Sequence, residues 1–142
     1  MTGPLKVTTE ELRAFLAEQF PQGERFGTLE RLGDGWAEMK LNVGDEHLRP
    51  GGTVSGPAMM GLADVALYAA LLGQIGLVPL AVTSNLNINF LRKPVAHAPI
   101  RATAKMLKVG RTMGVGEVFV YSDGRDEPVA HATITYAIPA PQ

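Results

Sequence analysis

The 142-residue chain is 46% hydrophobic and only 19% charged, which is one domain's worth of sequence with apolar content enough to fold without disulfide or structural metal. Its 13 Lys and Arg against 14 Asp and Glu exclude a general nucleic-acid binder, which needs a basic footprint. With no Cys, and with His47, His97 and His131 at no ligand spacing, disulfides, thiolate catalysis and cysteine zinc sites are excluded and no metal or cofactor is expected.

Thr8-Thr9-Glu10-Glu11 fits a capping box, and Leu12, Phe15, Leu16 and Phe20 recur at helical spacing until Pro21 and Gly23, which predicts a short amphipathic helix. Glu10, Glu11 and Glu18 interrupt the segment where a signal peptide would be apolar, so a soluble cytoplasmic protein is expected. Leu29 to Val43 reads as two strands around Gly33-Asp34-Gly35, with Trp36, Met39 (or Ala37), Leu41 and Val43 alternating toward the core. Residues 44 to 56 read as a glycine-rich loop.

Pro57 through Leu72 is an apolar run that starts on a residue suited to the first helical position and stops at Gly73, Gly76 and Pro79. It is too short and broken for a membrane span. Apolar on every side of the wheel, it predicts a helix enclosed by other elements. Four alternating strands follow. Val82, Ser84, Leu86, Ile88 and Phe90 define the first, set against Asn85, Asn87 and Asn89. Ile100, Ala102, Ala104 and Met106 define the second. Met113, Val115, Phe119 and Tyr121 carry the inward phase of the third, and Ala130, Ala132, Ile134 and Tyr136 that of the last. The order predicts an α+β fold, an antiparallel sheet wrapped around one long central helix. It forms a single domain over 1–142, with an N-terminal helical segment at 1–23 and the core at 24–142.

Asp64 is the only charged residue between Pro57 and Leu91. An uncompensated carboxylate inside an apolar helix is costly. One reading is structural, a carboxylate accepting hydrogen bonds from neighbouring backbone. The other is a general base or nucleophile held in a semi-dry cleft. The preceding loop favours the second reading: Gly51, Gly52 and Gly56 let backbone approach a ligand closely. A helix beginning near Gly56 also presents free amides and a positive dipole end to a developing oxyanion. An ordinary tight turn would use the same glycines.

The segment from Gly56 to Ala66, with its Leu62-Ala63-Asp64, resembles the helix start of hotdog-fold acyl-CoA thioesterases, in particular the phenylacetate-pathway (PaaI-like) branch. Val82 to Arg92 resembles the family's long third strand, and Pro128 to Tyr136 its last. The likeness runs over roughly residues 28 to 138. It implies that Asp64 is the catalytic carboxylate, that the Gly56 amide helps form the oxyanion hole, and that Thr83 helps place the attacking water. Ser55 stands where the motif has His, Arg49 where it has Asn, and Pro57 where it has a second Gly. Base and backbone donor remain, with Ser55 and Arg49 as replacement donors to the carbonyl.

The resemblance further implies a homodimer with one continuous sheet, assembling to a homotetramer, in which Asp64 of one chain faces Gly56 and Ser55 of the other. It implies an acyl-CoA substrate whose nucleotide lies near Lys108, Gly110 and Arg111. Met60 and Tyr68, beside Met59, are candidates for the acyl pocket as well as for core packing. No nucleic acid or membrane partner is implied. A dehydratase would need a catalytic His near the helix, and the helix region has none; a non-catalytic acyl-CoA binder or sensor remains the alternative.

Overall fold

The computed structural model describes residues 3–140. Its elements are α1 (Thr9–Gln19), β1 (Thr28–Gly33), β2 (Trp36–Leu41), α2 (Gly56–Ile75), β3 (Val82–Phe90), β4 (Ile100–Val109), β5 (Met113–Ser122) and β6 (Pro128–Ala137). The strands form one antiparallel sheet in the order β1-β2-β4-β5-β6-β3, packed around α2. This is the expected α+β hotdog arrangement.

Both halves of the predicted capping box form at α1: the Glu11 amide donates to Thr8 Oγ1 and the Thr8 amide to Glu11 Oε1. Leu12 is fully buried, and the Arg13 guanidinium donates to the carbonyls of Leu29 at 2.9 Å and Glu30 at 3.0 Å. The helix is thereby tied to β1 at one end and runs into a 3-10 turn, Pro21–Phe26, that the sequence did not announce.

β1 and β2 meet at Asp34-Gly35, where Gly35 at φ 77 supplies the positive dihedral that a type II turn needs at its second central residue. Ala37, Met39 and Leu41 face α2. Trp36 does not share their phase, because side chains one residue apart leave a strand on opposite faces. It lies half-buried outside, beneath the Arg31 guanidinium at 5.6 Å.

α2 is long and apolar enough to cross a bilayer, yet here it is the centre of the core. Leu62, Ala63, Ala66, Leu67, Ala69, Ala70, Leu71 and Leu72 have no exposed surface. That enclosure also reverses the expected phase of β5. Gly114, Gly116, Val118 and Val120 point at the helix, and Met113, Val115, Phe119 and Tyr121 point away. A Cβ on Gly114 would stand 2.7 Å from Leu71 Cδ1, and one on Gly116 would collide with Leu67. The helix presses so closely on β5 that the inward positions are the small ones.

β3 is an edge strand, and its expected alternation is only partly expressed. Leu86 and Ile88 pack on the core, while Val82 (56% exposed) and Phe90 (49%) stay open. The loop before α2 is held by His47, which is buried: its Nδ1 accepts from the Gly44 amide at 2.9 Å and its Nε2–H donates to the Arg25 carbonyl at 2.8 Å.

Candidate functional site

Asp64 sits two turns into α2 on the side turned to β6 and β3, where it is half-buried. Its cost is offset by two hydroxyls. Thr83 Oγ1 donates to Asp64 Oδ1 at 2.7 Å, and the Tyr136 hydroxyl lies 2.8 Å from the same oxygen and 3.0 Å from the Asp64 carbonyl. Thr83 and Tyr136 are cross-strand partners, so one rung of the sheet delivers both donors to one carboxylate oxygen. Asp64 Oδ2 has no donor among the described residues.

Tyr136 is a site residue that the sequence pattern does not single out. It closes an alternating apolar strand and reads as core, and it is indeed only 4% exposed. The signal available was chemical: a buried tyrosine hydroxyl requires a partner, and the nearby lone Asp requires donors. Burial, reinforced by the Asp64 charge, holds the Tyr136 phenol far above its ordinary value of 10.0. It therefore remains a hydrogen-bond donor at any physiological pH. Its ring stacks on Tyr68 at 5.6 Å, and Phe20 meets Tyr68 edge-on at 6.5 Å. The Tyr68 hydroxyl donates to the Pro79 carbonyl at 3.2 Å, and burial holds this phenol up as well.

Asp64, Thr83, Tyr68 and Tyr136 line one cavity of about 320 Å³, closed further by Phe20, Phe26, Gly61, Val65 and Ala81. A cavity-lining carboxylate with one oxygen pinned and the other without a donor is equipped to take a proton from water or to attack a carbonyl carbon.

The other predicted residues lie elsewhere in the chain. Gly56 opens α2 eight residues before Asp64, about 12 Å along the axis at 1.5 Å per residue. Ser55 is the N-cap, its Oγ accepting from the Ala58 amide at 3.3 Å. The Met59 amide reaches the Ser55 carbonyl at 3.2 Å, Pro57 has no amide hydrogen, and the Gly56 amide finds no acceptor among the described residues. Phe90 at the far end of β3 packs on Gly56, where a Cβ would meet Phe90 Cζ at 3.2 Å.

Arg49 is exposed in the loop. Met60, 38% exposed, lies outside the cavity, and Met59 is core. Lys108 lies at the end of β4, and Gly110 and Arg111 in the β4–β5 turn that follows. The register Met113–Ala137–Val82 places that turn at the same end of the sheet as Thr83 and Tyr136, two strands away.

The sequence profile of the Thioesterase superfamily matches residues 51–139. Among solved structures, the chain is similar to a candidate thioesterase of a Silicibacter species, with 45% identity over 95% of this chain and 94% of that one and a TM-score of 0.88. A mutant of the phenylacetic acid degradation protein PaaI from Thermus thermophilus is 28% identical over 84% of this chain and 99% of that one, TM-score 0.72. Zebrafish thioesterase superfamily member 2 shares the fold at 19% identity, covering 94% and 100%, TM-score 0.82. No curated protein matches the chain.

Proposed function

The chain belongs to the thioesterase superfamily, and from that premise we propose that it cleaves an acyl- or aryl-CoA thioester with Asp64 as general base or nucleophile. The observation that carries this reading is the asymmetry of the carboxylate. Thr83 and Tyr136 both bind Oδ1, which fixes the group's orientation and leaves Oδ2 without a donor among the described residues, on a side chain that lines the cavity. With Asp64 as base, Oδ2 takes a proton from water, hydroxide oxygen bonds to the thioester carbon, and the C–S bond breaks as the thiolate leaves. With Asp64 as nucleophile, its oxygen bonds to the thioester carbon as the C–S bond breaks and the thiolate leaves, and water then cleaves the resulting acyl anhydride to the free acid and the Asp64 carboxylate.

The Gly56 amide is the donor for the carbonyl oxygen in this reading, but it stands about 12 Å along α2 from its own Asp64. A second copy supplies the geometry. β3 is unpaired along its outer edge, and antiparallel pairing of two β3 strands about Leu86 sets Val82 of one opposite Phe90 of the other. Asp64, bonded to Thr83, then faces the Gly56 that packs on the partner strand's Phe90. Ser55 and Arg49 lie at that same end as further donors. Lys108 and Arg111, with the turn at Gly110, offer cations to the coenzyme's phosphates, and such dimers pair into a homotetramer.

The test is hydrolysis of a panel of acyl- and aryl-CoA thioesters by wild type and Asp64→Asn. Turnover by wild type and its loss in the variant, by about 10²-fold or more, supports the reading. Full activity in Asp64→Asn overturns Asp64 as the base. A wild type that turns over nothing while CoA esters raise its melting temperature is a binder.

A further inference from the structure

A second cavity, of about 280 Å³, lies beneath α1 and the turn after it, walled by Leu16, Ala17, Phe20, Leu29, Met39 and Val65. Asp64, Thr83 and Tyr136 are not among its walls, and the likeness carried by Asp64, Gly56 and Thr83 does not reach α1. Yet it is not separate from that site: Phe20 and Val65 also wall the Asp64 cavity. The two spaces therefore meet across one pair of apolar side chains. Phe20 is the residue at which α1 ends, with φ −142 and ψ 55, before Pro21 begins the 3-10 turn. Its ring lies over Gly23, where any Cβ would collide with it, and edge-on to Tyr68. Arg13, bonded to the Leu29 and Glu30 carbonyls, holds the roof in place.

We propose that this cavity receives the distal part of an alkyl acyl chain whose thioester carbonyl is at Asp64, so that α1 sets the chain length the protein accepts. The inference rests on the thioesterase reading and names the substrate class within it. Three observations converge. The wall is aliphatic and aromatic apart from Arg13, Glu24 and Thr28, and Arg13 is already engaged with backbone carbonyls. The volume is ample, since an apolar cavity of about 150 Å³ admits benzene. Phe20 and Val65 belong to the walls of both cavities, so a chain leaving the Asp64 cavity toward α1 runs past that pair. A short acyl group ends within the Asp64 cavity, and a longer one passes Phe20 and removes further methylenes from water.

Leu16 lines the α1 cavity and not the Asp64 cavity, so it tests the inference at one position in both directions. We expect Leu16→Trp, which fills the space, to lower the ratio of kcat/KM for octanoyl-CoA over acetyl-CoA by about tenfold or more. Leu16→Ala, which enlarges it, should move the preferred chain to a greater length. Loss of stability alone cannot produce opposite shifts, and melting temperatures recorded alongside identify a variant that fails to fold, in which case the other decides. Ratios within twofold of wild type in the folded variants overturn the inference. Calorimetry with non-hydrolysable thioether analogues of the same chain lengths separates the two ideas. Chain-length-selective weakening by Leu16→Trp without any wild-type turnover keeps the pocket and sinks the hydrolase reading. Turnover indifferent to Leu16 does the reverse.

Discussion

At the Val82 end of β3, Thr83 and Tyr136 hold Asp64 Oδ1 at 2.7 and 2.8 Å, and a cavity stands ready beside the free oxygen. At the Phe90 end, Gly56 presents an amide with no acceptor among the described residues, beside an aromatic ring that is half exposed. The first end is internally complete because three elements, α2, β3 and β6, converge on one carboxylate. The second is a helix start on a loop whose stability comes from His47 behind it. A single chain thus finishes the basic half of the proposed chemistry and only begins the electrophilic half.

Subunit mixing breaks or confirms that division with the largest effect. Asp64→Asn removes the base, worth about 10²–10⁴ in rate. Gly56→Pro removes the amide at a first helical position that tolerates proline, worth about 10²–10³. If the cleft is shared, exchanging the two inactive proteins restores one intact site in each mixed dimer. Random assortment then returns about a quarter of wild-type activity. Mixed dimers seen by native mass spectrometry without recovered activity would mean that one chain builds the whole site.

A smaller effect probes the complete end alone. Tyr136→Phe keeps the ring on Tyr68 but deletes one hydrogen bond to a charged oxygen, an interaction worth about 1.5–3 kcal/mol. We expect kcat to fall about tenfold to a hundredfold, with KM for the CoA ester nearly unchanged, in steady-state assays. Equal losses in kcat for a remote core variant of similar stability would remove Tyr136 from the site.

The contrast between the two ends also explains what could be read from residues alone. α2 and Asp64 are legible because one charge in a long apolar run must be offset by hydrogen bonds or used in chemistry, and either way it marks a special position. Thr83 is legible only by resemblance, and Tyr136 only as a buried hydroxyl in need of a partner, since their pairing across β3 and β6 depends on a register that no local pattern specifies. β5 turns the other way from its expected phase because bulk does not predict burial there. Leu67 and Leu71 fill the space that side chains on Gly116 and Gly114 would occupy, so Phe119 and Tyr121 face outward. Similarly, the cavity under α1 depends on where Phe20 turns the chain, which periodicity does not reveal.

At the incomplete end, His47→Ala leaves the Gly44 amide and the Arg25 carbonyl without their buried partner, at a cost of about 1–3 kcal/mol. Hydrogen exchange should rise across residues 44–56 while β6 and its Tyr136 remain protected. Uniform deprotection would show that the two ends unfold as one unit.

The smallest effect concerns pH, and its sign follows from the phenols. Burial raises Tyr136 above its ordinary 10.0, Asp64 pushes it the same way, and burial raises Tyr68 too. Above pH 10, the tyrosines of the unfolded chain release their protons while the folded chain retains these two. The unfolded state then binds fewer protons, so the free energy of unfolding decreases as pH rises. This stability is fully present below about pH 10 and is lost above it, at a limiting slope of about 1.4 kcal/mol per pH unit for each phenol. Denaturant titrations between about pH 9 and 11.5 should show that decline in wild type. Tyr136→Phe should remove one phenol's share, making the decline shallower while the Tyr68 share persists. A variant with the wild-type slope would mean that the Tyr136 hydroxyl is hydrated as readily as in the unfolded chain. The Asp64 end would then be as open as the Gly56 end, and the difference between them would lie only in their hydrogen bonds.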